Sequence, residues 1–134
     1  MAVDGSEVSL KAVNYAALLA KHEGAELIAL HVVPKPPFEF SGDIAIYYDE
    51  ARRRAKRWLR DVESTAARHG IGVRIEILVD ALSIPEAILG YAESNQVELV
   101  VTGTRGMTPS RRMLMGSVAI GLVQYASCPV LVVR

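Results

Sequence analysis

Short apolar runs alternate with longer amphipathic stretches along the whole chain. The runs are rich in β-branched residues, which is typical of strands, and several are continuously hydrophobic, as in parallel strands covered on both faces. Five strands are predicted, at 1–4, 26–33, 72–79, 97–102 and 129–133. Because strands that alternate with helices are typical of an α/β fold, we predict a doubly wound parallel sheet with helices on both faces and with both faces buried.

The amphipathic stretches predict four helices, because their apolar residues recur at intervals of three and four. These helices run from about 7 to 22, from 51 to 66, from 83 onward and from 117 to 126. Gly24 is expected to end the first helix, and Ser83 with Glu86 forms a capping box that opens the third. Residues 34–43 contain three prolines and are predicted to form a loop able to act as a lid.

The length and composition of the chain are those expected for a single domain with one hydrophobic core. The chain has 134 residues, 51% of them apolar, so we expect a single domain over 1–134. Its 15 basic and 15 acidic residues balance, and these totals indicate neither a nucleic-acid partner nor a membrane surface. The lone Cys128 is interpreted as a structural thiol, and we expect a cytoplasmic location. The basic run at 52–57 is interpreted as a solvated helix surface, with a regulatory or RNA contact as the alternative.

A glycine motif follows the fourth predicted strand. Gly103 and Gly106 are separated by two residues, and Gly116 and Ser117 follow nine residues later at the start of a helix. Glycines permit unusual backbone conformations and close approach of a ligand, while free amides at Gly116, Ser117 and Val118 would lie at the positive end of the helix dipole and attract phosphate. Arg105 adds a charge suited to phosphate oxygens, with an ion pair to a nearby carboxylate as the alternative. The motif therefore predicts a phosphate site, and the alternative is that the glycines shape a turn and Ser117 caps the helix.

The motif Gly103-x2-Gly106-x9-Gly116-Ser117 resembles the nucleotide loop of the universal stress proteins. The resemblance covers nearly the whole chain and also includes Ala2-Val3-Asp4-Gly5-Ser6, Leu30-His31-Val32-Val33 and Cys128-Pro129-Val130-Leu131-Val132-Val133. It implies a five-stranded sheet of order 3-2-1-4-5. It also implies a homodimer in which the last strands, Val130 to Val133, pair antiparallel.

The resemblance further implies an adenine-nucleotide site that takes ATP, with or without Mg²⁺ or Mn²⁺. The residues implied to hold adenosine are Ala2, Val3, Asp4 and Val32. Those implied to hold the ribose and phosphates are Thr102, Gly103, Arg105, Gly106, Gly116, Ser117, Val118 and Ala119. Arg111 and Arg112 either reach the terminal phosphates or face solvent.

The chain departs from the family pattern at two places. Only three residues precede Asp4 in the first strand, fewer than the family usually has, so we expect that the native chain begins earlier. The turn after the third strand usually contains glycine but here is Asp80-Ala81-Leu82-Ser83, which is expected to narrow the pocket beside the adenosine.

These features predict a nucleotide-dependent stress-response or regulatory module that hydrolyses ATP slowly or not at all, because only Asp4 is available to orient water. The alternatives are a dimeric interaction module that binds AMP, cyclic AMP or no nucleotide, and a true hydrolase or phosphotransferase. Asp4 as a metal ligand or phosphoacceptor is a weaker hypothesis. His31 is interpreted as a hydrogen-bonded histidine of the interior, because no Ser or Cys nucleophile accompanies it.

Overall fold

The computed structural model describes residues 1–107 and 114–134 and has an α/β fold. Its elements, in chain order, are α1 (Glu7–Glu23), β1 (Ile28–Pro34), α2 (Ile44–Arg68), β2 (Arg74–Ala81), α3 (Ile84–Ser94), β3 (Val100–Gly103), α4 (Ser117–Tyr125) and β4 (Val130–Val133). Four predicted strands and all four predicted helices are confirmed, with ends that shift by a few residues except at the start of α2, which lies well before the predicted one. Within the described ranges, no helix has the length and apolar character needed to cross a membrane.

The strands form two parallel pairs. β1 pairs with β2 from Ile28 opposite Arg74, and β3 pairs with β4 from Val100 opposite Val130. The first residues of the chain lie between the two pairs, because the Ala2 amide donates to the Val101 carbonyl at 2.8 Å and the Leu30 amide donates to the Met1 carbonyl at 2.9 Å.

The strand predicted at 1–4 is not formed as such. It is reduced to one isolated parallel bridge between Ala2 and Leu30. The chain leaves the strand direction at Asp4. Its side chain accepts a hydrogen bond from the Ser6 amide at 3.0 Å, and the chain turns toward α1. Few residues are therefore left to continue the ladder.

Local capping sets several helix ends where the sequence predicts them. Gly24 ends α1 in the left-handed conformation, with φ of 64°. The Ser83 side chain accepts from the Glu86 amide at 3.4 Å and begins α3. The start of α2 was predicted too late, because Asp43 caps it by accepting from the Ala45 amide at 2.8 Å. The connection from β1 to α2 is irregular over 35–43, as predicted.

The core lies between the strands and two helix pairs. α1 packs against α2, and α3 packs against α4. Ala12, Ala16 and Ala17 let α1 approach the strands closely, since all three are almost fully buried. The prediction that the whole sheet is buried on both faces is wrong for β2, which has no fully buried residue. Among the described residues β2 pairs with β1 alone, so it lies at an edge of the sheet, where side chains are less completely covered.

Candidate functional site

One cavity of about 520 Å³ opens where β1 and β3 end and where α1 and α4 begin. In parallel sheets this edge is where ligands bind. All twelve predicted site residues line it: Ala2, Val3, Asp4, Val32, Thr102, Gly103, Arg105, Gly106, Gly116, Ser117, Val118 and Ala119. The fold thus brings together residues that lie more than one hundred positions apart in the chain.

The N-terminus of α4 forms one wall of this cavity. Gly116 is the capping residue, with an extended backbone at φ −76° and ψ 157°, and no side chain of the described residues caps the helix. Ser117 is therefore the first helical residue and not the cap. The first amides of a helix have no partner within it and lie at the positive end of its dipole. The amides of Ser117 and Val118 are consequently placed to bind an anion.

The Gly116 amide was predicted to be free, and this is wrong. It donates to the Thr104 carbonyl at 2.7 Å, which joins the start of α4 to the end of β3. A side chain on Gly116 would meet only ordinary contacts, of which the shortest is 3.5 Å to the Thr104 carbonyl oxygen. Gly116 thus keeps open space in the cavity beside a fixed backbone.

Gly103 and Gly106 are required by close approach and not by unusual backbone angles. Neither has a positive φ, so that part of the expectation is wrong. A Cβ atom on Gly106 would collide with Oδ2 of Asp4, and one on Gly103 would lie 3.0 Å from Cγ1 of Val8. The loop after β3 therefore packs so closely against the start of α1 that a side chain at Gly106 would displace the Asp4 carboxylate and one at Gly103 would crowd Val8.

Asp4 links the start of α1 to the loop after β3 through two hydrogen bonds. Its Oδ1 accepts from the Ser6 amide and its Oδ2 accepts from the Met107 amide, each at 3.0 Å. The carboxylate is thus already used as an acceptor by the backbone on both sides of the cavity. Within residues 1–107 and 114–134, no group of three His, Cys, Asp or Glu residues is placed to hold a metal ion.

His31 is hydrogen-bonded, as interpreted from the sequence, but it is half-buried and not fully interior. Its Nδ1 lies 3.0 Å from the Val3 carbonyl oxygen, and its ring meets the Trp58 ring edge-on at a centroid distance of 4.9 Å. Burial lowers the pKa of His31, although the Val3 hydrogen bond and the Asp4 charge oppose this shift. A neutral imidazole that donates from Nδ1 to Val3 accounts for these contacts.

Sequence reasoning missed several residues that line the same cavity. Thr104 lies inside the glycine motif and is 8% exposed, and Ser9 is 3% exposed. Ser9 Oγ donates to the Ser6 carbonyl at 3.0 Å. Ile84 and Ile88 add an apolar wall from α3. The position of Thr104 between two glycines was a usable indication, whereas Ser9 could not be separated from helix capping by sequence alone.

Two of the sequence predictions near the cavity have a plain structural outcome. The turn at 80–83 was expected to narrow the pocket, but it does not line the cavity. Asp80 in this turn adopts the left-handed conformation that glycine usually takes, with φ of 64°. Arg105 lines the cavity and is exposed. Arg111 and Arg112 lie outside the described residues.

Comparison with known proteins identifies the family of this chain. The model of the universal stress protein family matches residues 1–134. The chain belongs to the universal stress protein family. A universal stress protein of Bacillus subtilis is 35% identical over 144 aligned residues, which cover 100% of this chain and 96% of that protein.

Solved structures of universal stress proteins have the same fold. That of the protein UspA from Lactobacillus plantarum superposes with a TM-score of 0.88, at 25% identity over 99% of this chain and 94% of that one. The structure of a universal stress protein in complex with cAMP superposes with a TM-score of 0.77, at 25% identity over 100% of this chain and 94% of that one. The structure from Archaeoglobus fulgidus in complex with dAMP gives 0.76 at 23% identity, over 99% and 94%, and shows the fold alone.

Proposed function

We propose that this chain is an ATP-binding regulatory module of the universal stress protein family that hydrolyses ATP slowly or not at all. The observation that carries the proposal is the convergence of all twelve predicted residues on one cavity at the carboxyl edge of the strands. A second support is that a solved universal stress protein structure at 25% identity is a complex with cAMP, an adenine nucleotide.

The apolar part of the cavity suits a purine base. Ala2, Val3 and Val32 are all nearly buried and line it together with Ile88 of α3. Ligand pockets are mostly apolar with a few polar groups that fix orientation. We place adenine against these residues, with Thr102 and Asp4 on the ribose side.

The polar part of the cavity suits phosphates. The amides of Ser117 and Val118 carry the positive end of the α4 dipole, and the Ser117 hydroxyl adds a donor. Arg105 supplies a charged fork for phosphate oxygens. Mg²⁺ prefers phosphate oxygens and water with only one or two carboxylates, so Mg²⁺ or Mn²⁺ accompanying ATP would be held mainly by the nucleotide.

Efficient hydrolysis is not expected from this site. A hydrolase positions a water with a carboxylate or glutamine. The cavity contains one carboxylate, Asp4, and both of its oxygens accept backbone amides in the described structure. Asp4 is therefore assigned to shaping the site and not to activating water.

Calorimetric titration with ATP, ADP, AMP and cyclic AMP, each with and without Mg²⁺, tests the proposal. We expect ATP to bind most tightly, with micromolar affinity, because a few charge-assisted contacts of about 1.5–3 kcal/mol each exceed the cost of association. Gly116→Val should abolish binding while the protein still folds, since the position has space in the free protein.

Gly72→Val is the matched control, because a Cβ atom there meets nothing within 4 Å and Gly72 does not line the cavity. It should bind as the wild type does. Tighter binding of AMP or cyclic AMP than of ATP would favour the second candidate, a module that responds to those ligands. Binding of none of the four would make the glycine loop purely structural.

The proposal extends to the assembly. We place segment 1–4 as the central strand of a five-stranded sheet, whose order is 3-2-1-4-5 when this segment is counted as the first strand. The sheet belongs to a single domain, and two copies of this domain form a cytoplasmic homodimer that is paired through β4. The apolar residues of β4 support this, because Val130, Leu131 and Val132 are only partly buried in one copy and edge strands of this kind need a cover. Light scattering should give twice the 14.6 kDa mass of one chain. A monomer at micromolar concentration would rule this assembly out.

A further inference from the structure

The outer face of α2 carries a row of cations. Arg53, Lys56, Arg57 and Arg60 are spaced at three and four residues and therefore lie on one side of the helix. All four are exposed, whereas Ala55 and Leu59 on the other side are buried in the core. We call Arg53, Lys56, Arg57 and Arg60 the α2 basic stripe.

The balanced total charge conceals an uneven distribution. α2 contains seven of the chain's 15 basic residues and four of its 15 acidic residues, so it has a formal charge of +3 and the rest of the chain −3. No residue of the stripe forms an ion pair with any residue in 1–107 or 114–134. The one ion pair of α2 joins Arg52 and Asp49 at 3.7 Å, outside the stripe. The stripe is thus a cationic surface without an acidic neighbour bound to it in the described structure.

The stripe is short. At 1.5 Å per residue, Arg53 and Arg60 are separated by about 10 Å along the helix. Exposed acidic residues stand at both ends, with Asp49 and Glu50 before the stripe and Asp61 and Glu63 after it. A long polyanion laid along α2, or a flat anionic membrane, would bring negative charge against these carboxylates.

The stripe also lacks an aromatic side chain for stacking with bases. Trp58 lies next to Arg57 in sequence, but its ring packs against His31 and Gly5 on the inner side of α2. Sequence-tolerant binding of single-stranded nucleic acid relies on such aromatic platforms. Nucleic acid is therefore a poorer match than an anionic group of limited length.

We propose that the α2 basic stripe docks a short acidic segment of another protein, about two helical turns long, whose carboxylates are spaced to meet the four cations. Charge complementarity over this length selects the segment, and the acidic residues at both ends of the stripe disfavour longer polyanions. The stripe is separate from the nucleotide cavity, because none of its residues lines that cavity.

Fluorescence anisotropy with labelled synthetic peptides of eight and sixteen glutamates tests the proposal. The stripe variant combines three substitutions: Arg53→Gln, Arg57→Gln and Arg60→Gln. The control variant removes the same charge from three exposed cations elsewhere: Lys21→Gln, Lys35→Gln and Arg134→Gln. Circular dichroism establishes that both variants are folded. Labelled oligouridylate of twenty nucleotides and phosphatidylserine vesicles serve as the competing probes.

We expect the eight-residue peptide to bind the wild type and the control variant alike. Loss of three exposed ion pairs predicts that the stripe variant binds about tenfold more weakly. Extending the peptide to sixteen residues should raise the affinity by no more than about ninefold, the number of registers in which an eight-residue site fits on it, since the site is finite.

Four results would overturn the proposal: no peptide binding by the wild type, equal losses in both variants, a gain in affinity with peptide length larger than the number of registers explains, or tighter binding of the oligonucleotide or vesicles than of the short peptide. The third would identify a general polyanion surface, and the fourth a nucleic-acid or membrane surface.

Discussion

At the scale of single residues, the site depends on contacts that only the folded chain creates. Gly106 is needed because Asp4, which lies more than one hundred residues away, occupies the space of its missing side chain. The motif spacing is enough to select Gly106 from the sequence. The reason for the glycine was predicted wrongly, since a positive φ was expected and a collision is found.

Gly106→Ala should therefore weaken both folding and ligand binding. The new methyl group displaces the Asp4 carboxylate and breaks its bond to the Met107 amide. Overpacking and a lost charge-assisted hydrogen bond predict a decrease of about 1–3 kcal/mol in the free energy of unfolding. Urea denaturation measures this change. Gly72→Ala, in open space, should have no comparable effect, and an unaltered stability of Gly106→Ala would show that the Asp4 contact is not important.

His31 makes the stability of the fold depend on pH. Its folded-state pKa lies below the ordinary 6.5 because burial disfavours the charged ring, so the unfolded chain takes up the proton first as the pH falls. Stability is complete above the unfolded pKa of 6.5 and decreases as the pH falls through 6.5 toward the lower folded value.

Urea denaturation of wild type and His31→Asn between pH 5 and 8, an interval of about 1.5 units on each side of the ordinary pKa, measures this effect. The asparagine amide keeps a donor for the Val3 carbonyl but does not titrate, so the variant should lose less stability at low pH. The Met1 amino group, whose pKa burial lowers to about 6, titrates in both proteins and cancels in the difference. His22→Gln is the control at an exposed position. Parallel curves for wild type and His31→Asn would contradict the assignment.

At the scale of elements, local capping was predictable and tertiary coverage was not. Gly24 and Ser83 set the ends of α1 and α3 through bonds within a few residues. The first turns of α2 escaped prediction because Ile44 and Ile46 are more than half exposed and do not continue its apolar spacing. The incomplete burial of β2 likewise depends on which strand lies beside it, and no short window of sequence contains that information.

The basic surface of α2 should lower the stability of that helix. Lys56 has Arg52 and Arg53 at four and three residues before it and Arg60 four residues after it, and no acidic residue at these spacings. Like charges at such spacings cost about 0.2–0.5 kcal/mol each, so removing three such pairs with Lys56→Gln should raise the free energy of unfolding by roughly 0.6–1.5 kcal/mol at low salt. The gain should vanish at about 1 M NaCl, where charges are screened.

Thermal denaturation of Lys56→Gln beside Lys21→Gln tests this expectation. Lys21 lies in the last turn of α1 with no charged residue three or four positions away, so its neutral variant should lose only the small contribution of its charge at the helix C-terminus and should gain no stability at low salt. A Lys56→Gln protein no more stable than the wild type at low salt would mean that the cations of α2 do not repel one another appreciably.

At the scale of the whole molecule, the α/β class and twelve of the residues that line the cavity could be predicted from the sequence, because motif positions at strand ends converge on one edge of a parallel sheet. Ser9, Ile84 and Ile88 could not, because they belong to helices outside the motif. The sequence does not predict which acceptors the backbone amides around the cavity bind. The Gly116 amide is taken by Thr104, and Asp4 holds two amides at once, because the loop after β3 closes onto the start of α1. Such pairings arise from three-dimensional contacts between segments distant in the chain.

Trp58 gives the molecule an intrinsic optical probe. It is the single tryptophan of the chain, and its indole ring touches His31, which lines the cavity. Indole emission responds to the charge and polarity of its immediate surroundings. A ligand that enters the cavity and shifts His31 should therefore alter the fluorescence of the unlabelled protein, so occupancy can be followed in solution without attaching a dye.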